Sequence, residues 1–79
     1  MRPIEPLPEP DLTSLRTAFD AARVASGLTY DELAARTGLA RRSLLDIAAG
    51  RNVGTLRTWI LIARALNVTL DDLAAGVWK

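Results

Sequence analysis

Cysteine and histidine are both absent from the 79 residues of this chain. Their absence excludes disulfide frameworks, cysteine nucleophiles and the ligand sets that usually hold zinc. Carboxylates remain as candidate metal ligands, but the sequence contains no acid-rich loop of the calcium-binding type. The residues that remain do not supply a nucleophile and a base for catalysis. We therefore expect no metal, no cofactor and no enzymatic activity.

Long hydrophobic runs are missing as well. The first ten residues, MRPIEPLPEP, lack the apolar centre of a signal peptide, and no later run reaches membrane-spanning length. Apolar residues make up 49% of the chain and charged residues 24%, which is the balance of a small globular domain. We expect a single domain located in the cytoplasm.

The charge is unevenly distributed, although its sum is only +1. Residues 1–35 carry three arginines and six acids, whereas residues 36–64 carry six arginines and only Asp46 as an acid. A basic middle segment of this kind is typical of a protein that meets a polyanion. It is also compatible with an ordinary solvated surface of mixed charge.

Four prolines stand in the first ten residues and prevent a helix there. We expect residues 1–10 to form a stiff, partly disordered arm and residues 11–79 to form the folded domain. Helix-start signals follow at Asp11, Thr29, Thr55 and Thr69. Apolar residues recur at helical spacing and predict helices over 12–26, 30–36, 41–49 and 56–66, with a short last helix from Leu70.

The expected core residues are those that share one face of each predicted helix. These are Leu12, Leu15, Phe19, Ala22, Leu33, Ala34, Leu44, Ile47, Leu56, Trp59, Ile60, Ala63, Leu66, Leu70 and Leu73. No segment alternates with a period of two. The fold class is therefore expected to be all-α, with five helices.

The two short helices over 30–36 and 41–49 are separated by the turn Thr37-Gly38-Leu39. This is the layout of a helix-turn-helix, in which the second helix projects side chains into the major groove of DNA. The stretch LTYDELAARTGLARRSLLDIAAGRNVGTLRTWILIARALNVTLDDLA resembles the lambda-repressor-like, Cro-type helix-turn-helix family, the xenobiotic-response-element class of regulators. The resemblance is ungapped from Gly27 to Leu73 and implies a compact five-helix domain that binds double-stranded DNA.

The resemblance also implies which residues meet DNA. Base-reading positions of the family correspond here to Ala40, Arg41, Arg42, Leu45 and Asp46. Positions expected to contact phosphates are Thr29, Tyr30, Arg23, Arg51, Asn52 and Arg57. The alternative for the arginines, and for the 51–52 segment, is a solvated surface without a DNA role.

The sequence departs from the family pattern at several of these positions. Ala40 stands where a serine or threonine usually caps the second helix, and Tyr30 stands where a glutamine usually meets a phosphate. Ala48 replaces a glutamate that usually pairs with the arginine at position 23, so Arg23 is either free for a phosphate or paired elsewhere. Asp46 either accepts a hydrogen bond from cytosine or pairs with Arg42 one turn earlier, and we favour the pairing.

We expect a small repressor that binds a palindromic operator as a homodimer. The apolar residues Leu61, Val77 and Trp78 are the predicted dimer interface, with Trp78 folded back on the core as the rival arrangement. The resemblance implies a bacterial or phage protein that associates with the nucleoid when it is bound to DNA. Alternatives are an antitoxin whose proline-rich arm binds a partner protein, a restriction–modification controller protein, or a protein-interaction module.

Overall fold

Local capping sets the start of four of the five helices. The computed structural model describes residues 4–78, and its helices are α1 (Leu12–Ser26), α2 (Tyr30–Thr37), α3 (Arg41–Ala48), α4 (Leu56–Leu66) and α5 (Leu70–Ala74). The capping side chains of α1, α2, α4 and α5 are those predicted from the sequence, at Asp11, Thr29, Thr55 and Thr69. No strand occurs between residues 4 and 78, so the all-α prediction is confirmed for this part of the chain.

Two glycines end the first two helices as predicted. Gly27 and Gly38 have φ angles of 72° and 74°, the left-handed region in which a residue with a Cβ atom is strained. Each glycine N–H donates a hydrogen bond to a carbonyl of the preceding helix, to Val24 after α1 and to Ala34 after α2. The chain therefore turns sharply after each of these helices, and the turn after α2 leads into α3.

The five helices surround one apolar core. Its buried members are Phe19, Leu28, Leu33, Leu44, Ile47, Trp59, Ile62, Ala63, Leu66 and Leu73. The ring of Phe19 makes edge-to-face contacts with Trp59 at 5.7 Å and with Tyr30 at 6.5 Å between centroids. Phe19 thus joins α1 to α2 and α4, and this junction holds the helix-turn-helix against the rest of the domain.

The prediction of which α4 residues face the core is partly wrong. Leu56 and Ile60 were expected in the core but are 71% and 49% exposed, whereas Ile62 is fully buried. At 100° per residue, Trp59, Ile62, Ala63 and Leu66 form one continuous face, while Ile60 points about 100° away from Trp59. Leu56 is the first residue of α4, where fewer neighbours surround a side chain.

Two other residues of the predicted core lie at its rim. Leu12 at the start of α1 is 38% exposed, and Leu70 at the start of α5 is 36% exposed. Both occupy the first position of their helix, where fewer neighbours surround a side chain. The two ends of the domain are also joined, since the backbone N–H of Asp11 donates a hydrogen bond to the Val77 carbonyl at 2.9 Å.

The N-terminal segment lies outside this core. Residues 4–10 have no regular secondary structure, and Ile4 and Leu7 are 97% and 82% exposed. The expected arm extends over residues 1–10, of which 1–3 fall outside the described residues, as does Lys79 at the end of the expected domain. Among the helices of residues 4–78, none has the length and apolar character needed to cross a membrane.

The helices α2 and α5 each begin with a capping box, in which a threonine and an acid three residues later hydrogen-bond each other's backbone N–H groups. These acids make the free energy of unfolding decrease in acid. The backbone N–H groups of Thr29 and Thr69 donate to Glu32 and Asp72 at 3.2 and 2.9 Å, and these bonds are the main reason that the pKa of each carboxyl is lowered. Because the folded pKa lies below the unfolded one, the unfolded chain binds protons first as pH falls. The stabilisation that the two ionised carboxylates contribute is complete at neutral pH and is lost in acid.

We therefore expect the urea midpoint of unfolding to fall as the pH is lowered below about 4.5. The Glu32→Gln variant should have a lower free energy of unfolding than the wild type at pH 7. Between pH 5 and pH 3 its free energy of unfolding should fall less than that of the wild type, because it lacks one of the carboxylates that become protonated. Equal pH slopes for this variant and the wild type would contradict the assignment.

Candidate nucleic-acid interface

The helix-turn-helix is built from α2, α3 and the turn between them. Leu33 of α2 and Leu44 of α3 are fully buried and pack the two helices onto the core. No role was predicted for the Thr37 side chain, yet it is buried and stabilises the turn through two hydrogen bonds. Its hydroxyl donates to the Leu33 carbonyl at 2.8 Å and accepts from the Leu39 N–H at 3.2 Å. These bonds fix the direction in which α3 begins.

The start of α3 presents two arginines to solvent. Arg41 and Arg42 are the first residues of the helix, and their side chains are 56% and 82% exposed. Ala40, also exposed, precedes them and provides no side-chain hydrogen bond to the helix, as its sequence predicted. Cations at a helix N-terminus are electrostatically disfavoured, so helix stability does not account for this pair.

Both arginines are paired with carboxylates. Arg42 Nε contacts Asp46 Oδ1 at 3.3 Å, which is the intrahelical pairing favoured from the sequence. Arg41 Nε contacts Asp31 Oδ1 of α2 at 3.0 Å, a contact that no spacing rule along the sequence indicates. The arginine side chain of each pair is exposed, and pairs of this kind contribute about 0–1 kcal/mol to stability.

Asp46 also receives a second cation from the loop after α3. Arg51 Nε donates to Asp46 Oδ1 at 2.9 Å, and this hydrogen bond is the largest cause of the lowered pKa of Asp46. Asn52 lies beside Arg51, and its side chain accepts from the Gly54 N–H at 2.8 Å, which shapes the loop. Arg57 is exposed near the start of α4. The loop therefore brings one cation, Arg51, to the carboxylate that also pairs with Arg42.

The other predicted contact residues are already engaged within the domain. The Arg23 guanidinium donates to the Leu28 carbonyl at 3.0 Å and to Asp20 at 3.1 Å, and it lies 4.5 Å above the Tyr30 ring. Arg23 is thus paired elsewhere, which was one of the two alternatives. Tyr30 is partly buried between Arg23 and Phe19, and the Thr29 hydroxyl accepts the Glu32 N–H.

The remaining predicted residues, Leu45, Leu61, Val77 and Trp78, differ in their exposure. Leu45 is partly buried on α3. Leu61 and Val77 are partly buried, and Trp78 is 59% exposed. Trp78 is therefore not folded back on the core, which was the alternative to its role in the dimer interface.

The residues that form the helix-turn-helix also match a known sequence family. A helix-turn-helix family model matches residues 20–73, which include α2, α3 and α4. A curated relative from Archaeoglobus fulgidus, described as an uncharacterized HTH-type transcriptional regulator, is 32% identical over 59 residues. That match covers 75% of this chain and 84% of the relative.

Two solved structures share the arrangement of helices. The clp gene regulator ClgR from C. glutamicum superposes with a TM-score of 0.76 at 27% identity, covering 94% of this chain and 100% of that chain. The hypothetical transcription factor NHTF from Neisseria superposes with a TM-score of 0.73 at 26% identity, covering 92% and 88% of the two chains. The chain therefore belongs to the lambda-repressor-like helix-turn-helix family and is a DNA-binding transcriptional regulator.

Proposed function

We propose that this protein is a small repressor that binds a palindromic operator as a homodimer. The observation that carries the proposal is the exposed pair Arg41 and Arg42 at the start of α3, held beside a cationic loop. A major groove about 12 Å wide admits one helix, and arginine reads guanine through two parallel hydrogen bonds. In this proposal α3 lies in the groove, and the two arginines read bases.

The loop after α3 is the proposed phosphate-binding segment. Arg51 and Asn52 are exposed in this loop, Arg57 is exposed in the first turn of α4, and Arg51 shares Asp46 with Arg42 of the proposed reading face. Arg23 and Thr29 receive less support for the same role, because their polar atoms are engaged within the domain. Ala40 and Leu45 remain proposed base contacts of apolar type, with thymine methyl groups as the matching chemistry.

We place the contact between two copies on the α4 stripe, defined as Leu56 and Ile60. These residues lie one turn apart on the same side of α4 and are 71% and 49% exposed. A two-fold axis would bring the stripe of one copy against the same stripe of the other. This choice favours Leu56 and Ile60 over the sequence-predicted Leu61 and Val77, which are already partly covered within one chain.

The dimer proposal predicts that Ile60→Glu shifts the protein toward monomers in analytical ultracentrifugation, because a charge cannot be buried without a partner. The matched control is Val24→Glu, since Val24 is 62% exposed on α1 and lies in none of the proposed contact surfaces. We expect Val24→Glu to sediment like the wild type. An Ile60→Glu variant that sediments as the wild-type dimer would place the interface elsewhere, with Trp78 as the next candidate.

The experiment that tests the function as a whole is selection of bound sites from random double-stranded DNA. A dimeric repressor should select two inverted half-sites whose centres are about 34 Å apart, one helical turn. Binding without any enriched sequence would contradict operator recognition. A single enriched half-site would support DNA reading but contradict the dimer.

The exposed N-terminal segment favours a second role, in which a partner protein binds residues 4–10. Ile4 and Leu7 are almost fully exposed, and Glu5 and Glu9 make the segment unsuited to phosphates. In this reading the protein is an antitoxin or controller whose DNA binding is autoregulatory. Tandem purification of the chain from its native host, with and without residues 1–9, tests for a partner that depends on this segment.

A further inference from the structure

One carboxylate connects the two parts of the proposed DNA interface. Asp46 Oδ1 contacts Arg42 Nε at 3.3 Å on α3 and Arg51 Nε at 2.9 Å in the following loop. The Asp46 side chain is 26% exposed, whereas those of Arg42 and Arg51 are 82% and 61% exposed. The acid is therefore more covered than either of the two cations that it contacts.

The backbone of Asp46 supports the same arrangement. Its carbonyl accepts the N–H of Arg51 at 2.8 Å and the N–H of Asn52 at 3.3 Å. The position at which the loop leaves α3 is thus fixed at the backbone, independently of the side chain. The hydrogen bond from Arg51 is also the largest cause of the lowered pKa of Asp46.

The atoms used in these contacts leave the arginines able to bind a ligand. Each guanidinium has five N–H donors, and both contacts with Asp46 are made through Nε. The two terminal nitrogens are the ones that form the fork for guanine or phosphate. A carboxylate on Nε therefore restricts the rotamers of each arginine without occupying its recognition donors.

We propose that Asp46 is a positioning residue that holds Arg42 and Arg51 in a fixed relation, so that base reading and phosphate binding occur as one unit. This inference rests on the proposed function of α3 and its loop. Asp46 itself contacts no base in this arrangement. Its effect on DNA binding passes through the two arginines.

Simple electrostatics makes a different prediction for the removal of Asp46. Deleting a negative charge from a surface that faces phosphates should strengthen binding to every DNA sequence. Loss of positioning should instead weaken discrimination, because an unrestrained Arg42 must be ordered when it binds. The two accounts are therefore separated by whether the operator-to-random affinity ratio falls or stays unchanged.

The test compares Asp46→Asn with Asp71→Asn in the full chain. Asp71 is exposed on α5, so its replacement makes the same change in formal charge away from α3. Affinities are measured for the operator selected by the wild type, for its single-base variants and for random DNA. We expect Asp46→Asn to lose about tenfold of the operator-to-random ratio, within the range of one arginine–guanine contact, and Asp71→Asn to keep the ratio.

A second pair of variants distinguishes positioning from direct reading by Asp46. In an Arg42→Ala background, Asp46→Asn should cause no further loss of base discrimination, because the arginine through which it acts is gone. A further loss at one base pair in that background would show that Asp46 itself reads DNA and would overturn the proposal. Asp46→Glu, which restores a carboxylate, should recover part of the discrimination.

The failure of this inference can be told from the failure of the proposed function. If the wild type enriches no sequence, the proposed function fails before any variant is compared. If it enriches an operator and Asp46→Asn binds all sequences more tightly with unchanged discrimination, only the positioning role is overturned. Thermal unfolding of each variant is measured in parallel, and the comparison within the Arg42→Ala background is made at a temperature where both proteins are folded.

Discussion

Replacing Phe19 by alanine should cost about 3–5 kcal/mol of folding free energy, the usual effect of deleting a buried aromatic ring. Phe19 is fully buried and makes edge-to-face contacts with Trp59 and Tyr30. At about 0.05–0.15 kcal/mol per residue, a domain of this size has a total stability of about 4–12 kcal/mol. The variant should therefore lose a large part of the stability of the fold.

Thermal unfolding followed by circular dichroism measures the effect. A loss of this size should lower the Tm of the domain by about 12–40 °C. The matched control is Val24→Ala on the same helix, where a side chain that is 62% exposed should change the Tm by no more than a few degrees. A small shift for Phe19→Ala would mean that the ring does not join α1 to the other helices as described.

Replacing Arg41, Arg42 or Arg51 by alanine should weaken DNA binding in two different ways. The first two lie at the exposed start of α3, where a bidentate contact with guanine contributes about 1–3 kcal/mol of discrimination. Losing at least one of them should lower affinity for the operator by about 5–150-fold, with a much smaller effect on random DNA. The preference at one base pair of each half-site should relax.

Arg51 should instead affect all sequences alike. It lies in the loop after α3, on the proposed path of the sugar–phosphate backbone. Its removal should weaken operator and random DNA together and should reduce the slope of log affinity against log salt by about one per subunit.

Titrations against the panel of single-base operator variants at several salt concentrations separate these effects. If Arg41→Ala and Arg42→Ala both weaken binding uniformly across the panel, these arginines bind phosphates. Base reading would then belong to Leu45 or another residue of α3, and the proposed reading face would be wrong.

The start and end signals of most helices could be predicted from the sequence because they are local. The Thr29 and Glu32 capping box joins residues three positions apart, and Gly38 supplies a left-handed turn that few other residues adopt. These short-range features define α2, the turn and the start of α3. The exposed position of Arg41 and Arg42 followed from the same local pattern.

The face of α4 could not be predicted with the same success, because its pattern is ambiguous. Apolar residues occupy both sides of the helix start, so Leu56 and Ile60 fitted the expected inward face as well as Trp59 did. Only the packing of α4 against Phe19 and the other helices decided that Ile62 is buried. The exposed stripe on which we place the dimer contact emerged from that decision.

The sequence by itself determined the five helices, the turn and the identity of the cations at the start of α3. The pairing of Arg42 with Asp46 followed from helix spacing, whereas the tertiary structure decided how Arg41 and Arg23 are held. Arg41 pairs with Asp31 across two helices, and Arg23 is engaged by Asp20, Leu28 and Tyr30. Helix spacing connects residues three or four positions apart, whereas these contacts include residues brought together by the turn and by core packing.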